Sequence, residues 1–328
     1  MAQIAAGFAS SHGIMVTADL EDWQHHFSSF DRKVDLYDPS GHRRSYDDWV
    51  ATAPEKAVAL IEPKLVAQRY HEMKQAVARL QTDIEQAELD ALIIFGDDQN
   101  ELFDSDNMPA IGIYYGETIP NLARSEQRSS DWIKRARDRR LEESIPRDYP
   151  VHAALARHLI AGLIARNFDP ATLSRLPDGK GEGHAFSFVH RLYMTTRAIP
   201  IVPIFVNTFY APNQPTPQRC LDLGRAIAAS VESFPGNLRV GVFASGGLSH
   251  FVVDEELDRG FLAALKRKDD AYVRNLPARR LESGNSELRN WIAAYGAASH
   301  LKFAVNTYIP GYRTPALTGT GLCFARWV

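Results

Sequence analysis

The amino-acid sequence predicts an α/β fold in which a mostly parallel central sheet is flanked by helices. Short apolar runs alternate along the 328 residues with longer segments that have helical periodicity. Such alternation is typical of parallel strands joined by helices that cover the two faces of a sheet. We expect residues 1–328 to form a single domain, because no linker rich in glycine, serine or proline and no clear internal repeat divides them.

The first third of the chain is expected to contain two strands and one long helix. Residues 4–9 are small and apolar and predict the first strand, whereas the polar and aromatic residues 18–56 predict an insertion of loops and short helices. Residues 63–89 carry apolar side chains at intervals of three and four, which predicts a helix. Residues 91–95 form an apolar run that ends at Gly96 and predict a buried strand.

The rest of the chain continues this alternation. Thr216 and Pro217 suit the start of a helix, because a proline in the first turn removes no needed donor. Pro203 interrupts an apolar run, so we expect that strand at an edge or an end of the sheet. Ser286 is expected to cap a late helix. The expected elements are a loop-rich stretch at 101–149, helices at 151–165, 216–234 and 286–298, and strands at 200–206 and 239–244.

Charge and composition exclude several classes of function. The formal net charge is −3 and the basic residues do not cluster, which argues against a nucleic-acid partner. No apolar stretch reaches the length of a membrane helix, and the first residues lack the basic and apolar regions of a signal peptide. The two cysteines, Cys220 and Cys323, are far apart and form neither a disulfide framework nor a zinc motif. We therefore expect a cytoplasmic protein.

Three groups of polar side chains stand where predicted elements end or begin. His12 follows the first predicted strand, Asp97, Asp98 and Gln99 follow another, and Glu287 lies in the first turn of a helix. Because ligands gather beyond the carboxyl ends of parallel strands, these positions can converge. The spacing alone also fits an ordinary polar histidine and a carboxylate that interacts with a helix dipole.

Two further histidines are candidates for acid–base chemistry. His250 ends the segment Gly246–His250, whose glycines let the backbone turn sharply beside a ligand, and an imidazole there can move protons near neutral pH. The competing interpretation is a tight turn with a surface histidine. His184 either polarises a bound ligand or is a buried histidine bonded to a backbone carbonyl.

Five groups of segments, in a specific order, resemble a known family. The segments are Ser11-His12, residues 92–103, Gly183-His184, residues 202–227, and residues 246–250 together with 284–291. Over residues 4–327 they resemble the class III extradiol ring-cleavage dioxygenases, the family of the protocatechuate 4,5-dioxygenase β subunit. The resemblance implies a non-haem Fe(II) enzyme, expected to be a homo-oligomer, that uses dioxygen to cleave a catechol-like aromatic or heteroaromatic diol.

The same resemblance implies roles for individual residues. His12 and Glu287 would hold Fe(II), His250 would be the acid–base histidine, and His184 would interact with substrate or bound oxygen. We also expect Asp98 to contact the substrate.

The C-terminal tail, residues 306–327, adds two candidates for substrate binding. It places Tyr312 and Arg313 close to several glycines. The tail is expected either to line the pocket and pair with an acidic group of the substrate, or simply to pack against the fold.

One position departs from the family pattern. The family has a histidine after an aspartate, whereas Gln99 follows Asp98 here. We expect Gln99 to ligate the metal through its side-chain oxygen. Alternatively Asp98 or Glu101 ligates instead, or the metal is lost and the chain is a non-catalytic or regulatory partner of a dioxygenase. A redox-neutral metal hydrolase on the same fold is a further alternative.

Overall fold

The computed structural model describes residues 1–123, 131–141 and 143–328, with only the backbone of Arg140. The described strands are β1 (Gln3–Ser10), β2 (Leu36–Tyr37), β3 (Arg43–Arg44), β4 (Ala91–Gly96), β5 (Ile111–Tyr114), β6 (Thr118–Asn121), β7 (Arg147–Pro150), β8 (Ala171–Leu173), β9 (Ile201–Val206), β10 (Arg239–Ser245), β11 (His250–Val252), β12 (Phe303–Tyr312) and β13 (Thr318–Trp327).

Most of the helices lie between these strands in the sequence. They are α1 (Ile14–Thr17), α2 (Leu20–His25), α3 (Phe27–Asp31), α4 (Tyr46–Thr52), α5 (Pro63–Gln86), α6 (Trp132–Leu141), α7 (Ala153–Ile164), α8 (His184–Tyr193), α9 (Pro217–Glu232), α10 (Glu255–Arg267), α11 (Asp270–Arg274) and α12 (Leu288–Ala298). Short 3-10 turns occupy Glu55–Ala57, Ala59–Ile61, Ala278–Arg280 and Ser283–Glu287.

A central sheet organises the fold in the order β11-β13-β1-β10-β4-β9-β5-β8, with β12 paired to β13. The neighbouring strands β1, β10, β4 and β9 are parallel, whereas β13 and β5 run antiparallel to the strands β1 and β9 beside them. The predicted α/β fold with a mostly parallel sheet is therefore confirmed. The carboxyl ends of β1, β4 and β10 lie side by side, which brings the residues that follow them to one edge.

Apolar side chains cover both faces of this sheet. In β4, Ile93 and Phe95 contribute to a core with α7, α9, α10 and α12, and Leu92 and Ile94 contribute to a second core with α5 and α8. Successive side chains of a strand point to opposite faces, so a strand buried on both sides is apolar without interruption. This is why the short run after Asp90 could be recognised as a buried strand.

The expected edge position of the strand that contains Pro203 is wrong, because β9 lies between β4 and β5. The odd-numbered residues of this segment direct their backbone groups toward the β5 side. There the Ile201 carbonyl oxygen accepts from the His152 N–H, and the Asn207 N–H, directly after β9, donates to the Ala110 carbonyl oxygen. The described pairing with β5 reaches only Ile204. Proline therefore removes no hydrogen bond of the sheet, although its strand is internal.

Two regions differ from or refine the sequence expectations. Residues 18–56 form the short helices α2 to α4 and the small hairpin β2–β3, as expected of an insertion. The tail contains β13 and most of β12, two ten-residue strands that belong to the central sheet. A 3-10 turn, Ser283–Glu287, precedes α12, so Ser286 lies before the helix and not at its cap.

Among the residues that the structure describes, no helix is both long enough and apolar enough to cross a membrane.

Candidate metal centre and active site

The first side chain of the candidate site is His12, which follows β1 and is almost completely buried. Its Nδ1 lies 3.0 Å from Ser245 Oγ, and that hydroxyl donates to the Ala185 carbonyl oxygen at 2.7 Å. Since the serine proton is used by the carbonyl, Nδ1 of His12 must be the donor in their contact. The Nε2 atom of neutral His12 therefore carries the lone pair that a metal needs.

Glu287 reaches the same point from the other end of the chain. Its carboxylate is buried, and Oε2 lies 3.1 Å from His12 Nε2. The Gly247 backbone N–H donates to this oxygen at 2.6 Å. Burial alone would raise the pKa of Glu287, but the imidazoles of His12 and His250 hold it well below the usual range. The geometry thus stabilises an ionised carboxylate beside the imidazole.

Asp97 is the first residue after β4 and lies between two imidazoles. Its Oδ1 is 3.8 Å from His12 Nε2, and its Oδ2 is 3.7 Å from His184 Nε2. The Asn290 side-chain amide donates to Oδ1 at 3.3 Å. Burial and the nearby Glu287 carboxylate raise the pKa of Asp97. Sequence reasoning did not give Asp97 a role, although its place directly after the strand was the available signal.

Gln99 also lies at the site, with its amide nitrogen toward two carboxylates. This nitrogen is 3.3 Å from Asp97 Oδ2 and 3.5 Å from Glu287 Oε1. The NH2 group of an amide donates and carboxylate oxygens accept, so two carboxylates favour the NH2 group on the side that faces them. The side-chain oxygen, which was expected to bind metal, is not the atom in these contacts.

His184 is the first residue of α8, which packs on the other face of the sheet from α12. Its Nδ1 donates to Glu101 Oε2 at 2.6 Å, and its ring centroid lies 4.6 Å from that of His12. The partner of the buried histidine is thus a carboxylate and not the backbone carbonyl of the competing interpretation. The Glu101 carboxylate accepts hydrogen bonds from both the backbone N–H and the ring Nδ1 of His184.

His250 opens β11 and turns its ring toward Glu287. Its Nδ1 donates to the Leu248 carbonyl oxygen at 2.9 Å, which leaves Nε2 directed at Glu287 Oε1, 3.2 Å away. Burial by itself lowers the pKa of His250, but the Glu287 carboxylate reverses the direction and the pKa lies above its usual value. The Asn285 side chain accepts from the His250 backbone N–H at 2.8 Å and fixes the turn.

These residues fit a bound divalent metal ion. Donor atoms of His12, Asp97 and His184 all lie within 4.8 Å of one another. Two ligands at a right angle on a metal, with bonds of about 2.1 Å, lie about 3.0 Å apart. The 3.1 Å between His12 Nε2 and Glu287 Oε2 matches that spacing. A lone pair and a carboxylate oxygen this close also require a cation between them, which is either a proton or a metal ion.

The residues expected to bind substrate are engaged elsewhere. Asp98 accepts hydrogen bonds from the backbone N–H groups of residues 101, 102 and 103, and burial raises its pKa to about 6. Tyr312 donates to Glu255 at 2.8 Å, and Arg313 forms a buried ion pair with Asp31 through Nε at 2.9 Å. For the tail, these contacts favour the packing interpretation over pairing with a substrate.

Comparison with known proteins identifies the family to which this chain is similar. The family described as the catalytic LigB subunit of aromatic ring-opening dioxygenase matches residues 59–322. Gallate dioxygenase of Pseudomonas putida is 32% identical over 189 residues, which cover 53% of this chain and 54% of that protein. A 2,3-dihydroxyphenylpropionate/2,3-dihydroxicinnamic acid 1,2-dioxygenase of Comamonas testosteroni is 35% identical over 97 residues, 30% of this chain and 28% of that protein.

The α/β fold and the family match place the chain in a class of ring-cleaving dioxygenases, as the sequence resemblance implied. More particularly, the chain belongs to the LigB family of aromatic ring-opening dioxygenases, the class III extradiol type. The chain spans about half the length of the gallate dioxygenase and a smaller share of the dihydroxyphenylpropionate dioxygenase.

Proposed function

We propose that this chain is a non-haem Fe(II)-dependent extradiol dioxygenase that cleaves a catechol-like aromatic or heteroaromatic ring. The observation that supports it most is the meeting of His12 and Glu287, 3.1 Å apart and buried, with His250 on the same carboxylate. A ferrous ion bound by His12 and Glu287 would supply neighbouring coordination positions for the diol and for dioxygen.

His250 is proposed to act as the general base and then the general acid. The Leu248 carbonyl oxygen holds the proton on Nδ1, so the Nε2 atom that faces the site is the one that exchanges protons with the substrate. From this position Nε2 takes a hydroxyl proton as the diol binds and returns it to the product. Positioned acid–base groups of this kind contribute about 10²–10⁴-fold in rate.

His184 is proposed to bind an oxygen atom of the substrate or of dioxygen. Its Nδ1–H is held by Glu101 at 2.6 Å, which orients the ring and stabilises a positive charge on it. The Nε2 atom then faces the metal side of the site, next to Asp97. His184 can thus hydrogen-bond negative charge that develops on a substrate oxygen.

The test is a reaction started under anaerobic conditions. Apoprotein is loaded with Fe(II), mixed with catechols, protocatechuate, gallates or dihydroxypyridines, and then exposed to oxygen. We expect oxygen uptake together with a ring-fission chromophore for at least one diol. His250→Ala should keep the iron but lose about 10²–10⁴-fold in turnover, whereas His71→Ala, at an exposed position on α5, serves as the control and should keep both. Iron-loaded protein with no oxygen uptake across the panel would refute the proposal.

The glutamine at position 99 favours one other candidate, a non-catalytic partner subunit of a dioxygenase. It predicts that anaerobic Fe(II) loading gives no stoichiometric metal, and that the chain co-purifies with a subunit that has the missing histidine. A metal hydrolase would differ from both, because it would turn over without oxygen.

A further inference from the structure

We infer that Asp97, and not Gln99, supplies the third protein ligand of the metal, beside His12 and Glu287. This inference rests on the proposed function, because it assigns a ligand to the ion that the proposed reaction uses. It gives this chain a site with one imidazole and two carboxylates.

The position of the Asp97 carboxylate is the first argument. It is buried at the carboxyl end of β4, and its two oxygens face His12 Nε2 at 3.8 Å and His184 Nε2 at 3.7 Å. A cation that contacts His12 is therefore next to Asp97 whether its other ligand is Glu287 or His184. A side-chain rotation that moves Asp97 Oδ1 by less than about 1 Å is enough to bring it to about 3.0 Å from His12 Nε2, the spacing of neighbouring ligands on a metal.

The orientation of Gln99 is the second argument. Its amide nitrogen donates to Asp97 Oδ2 at 3.3 Å and approaches Glu287 Oε1 at 3.5 Å. A glutamine that positions carboxylates uses its NH2 group in this way, whereas a ligating glutamine would present its oxygen. Asn290 donates to the other Asp97 oxygen at 3.3 Å and to the Ser245 carbonyl oxygen at 2.9 Å. Gln99 and Asn290 are thus positioning residues that aim the carboxylates.

Charge balance is the third argument. Asp97 and Glu287 are 1% and 2% exposed, and two buried carboxylates beside each other are costly without a compensating cation. A divalent ion between them neutralises both charges. Their oxygen atoms also make the donor set harder than one with two imidazoles, because carboxylates suit oxygen-preferring ions such as Mn(II).

The experiment titrates metal-free protein with Co(II) and with Fe(II) under anaerobic conditions and records stoichiometry, affinity and the visible Co(II) spectrum. Asp97→Asn keeps the shape of the side chain and removes its charge, and Gln99→Leu removes the amide. Groups that position a metal ligand are worth about 10–100-fold in affinity. We therefore expect Gln99→Leu to lose that much and Asp97→Asn to lose more than about 100-fold, with an altered Co(II) spectrum. Asp222→Asn, a carboxylate on α9, is the control and should match the wild type.

The outcomes distinguish a failure of this inference alone from a failure of the proposed function. If the wild type binds one ion but Gln99→Leu loses as much affinity as Asp97→Asn or more, the inference is wrong and the proposed function stands. If the wild type takes up no stoichiometric metal, both are wrong. Circular dichroism and the melting temperature of the metal-free variants check the fold, and Asp97→Ser replaces Asp97→Asn in the titration should the latter not fold.

Discussion

At the scale of the residue, one hydroxyl proton decides how His12 faces the site. Ser245 Oγ donates to the Ala185 carbonyl oxygen, so it can only accept from His12 Nδ1. Leu248 imposes the same tautomer on His250 through its carbonyl oxygen. Both rings consequently direct Nε2 at the Glu287 carboxylate, and the two imidazoles prepare the site for a cation and for proton transfer.

A buried carboxylic acid outside the site gives a pH-dependent prediction. Asp258 on α10 accepts from the Ser249 backbone N–H and from the hydroxyls of Ser249 and Tyr308, and burial raises its pKa from 3.8 to about 7. Between about pH 4 and pH 7 the folded chain keeps a proton that the unfolded chain releases, so this group makes the free energy of unfolding fall as the pH rises. Asp258→Asn cannot titrate, and its free energy of unfolding should depend less on pH.

Urea unfolding at pH 5 and pH 8 measures this difference. The wild type should lose more stability between the two values than Asp258→Asn does. Equal losses in both proteins would show that Asp258 does not titrate in this range.

Residue types and element ends allowed most of the site to be predicted from the sequence. His12, His250 and Glu287 were expected near one another. In the structure, both histidine rings lie within hydrogen-bond distance of the Glu287 carboxylate. Asp97 was one of the candidates but received no role, because the polar residues 97–101 all follow β4 and a sequence does not say which of them points inward. The structure uses Asp98 to bind three backbone N–H groups of the next loop, which leaves Asp97 for the site.

At the scale of the element, α12 positions Glu287 because the residue directly precedes its first turn. The helix packs closely against α9, where a Cβ atom on Gly224 would lie only 2.0 Å from the Ala293 carbonyl oxygen. Gly296 makes the reciprocal approach, with 2.4 Å between its hypothetical Cβ and the Leu221 carbonyl oxygen. Glycine on both helices thus sets the depth at which α12 carries Glu287 to the sheet edge.

Gly224→Ala is therefore expected to push the two helices apart. Overpacking of this type costs about 1–3 kcal/mol of stability, and the shifted helix should also weaken metal binding through Glu287. Gly112→Ala is the control, because its added methyl group would make only ordinary contacts of 3.5 Å or more. Urea unfolding measures the stability, and a Gly224→Ala protein as stable as the control would contradict the packing argument.

Elements with a strong apolar period were predictable, and those defined by long-range pairing were not. The helix predicted at 63–89 is Pro63–Gln86, and the strand predicted at 239–244 is Arg239–Ser245. The tail was not recognised as two long strands because Gly311, Gly319 and the other glycines conceal the alternation of side chains. Close contacts between the two backbones require these glycines. A Cβ atom on Gly319, for example, would lie 2.0 Å from the Gly311 carbonyl oxygen.

At the scale of the whole molecule, a single sheet collects side chains from both ends of the chain. The ends of β1, β4 and β10 deliver His12, Asp97 and Ser245 to one edge, and the start of α12 adds Glu287. The first strand, β1, and the last, β13, are neighbours in this sheet, so we propose that residues 1–328 act as one catalytic domain. The parallel order explains why side chains so distant in sequence lie at one site.

The most direct test of this account is the position of iron in crystals of protein loaded with Fe(II) under anaerobic conditions. Anomalous scattering at the iron edge should give one peak per chain, at about 2.0–2.2 Å from His12 Nε2 and from carboxylate oxygens of Asp97 and Glu287. Fully loaded crystals whose iron lies away from His12 and Glu287 would contradict the account.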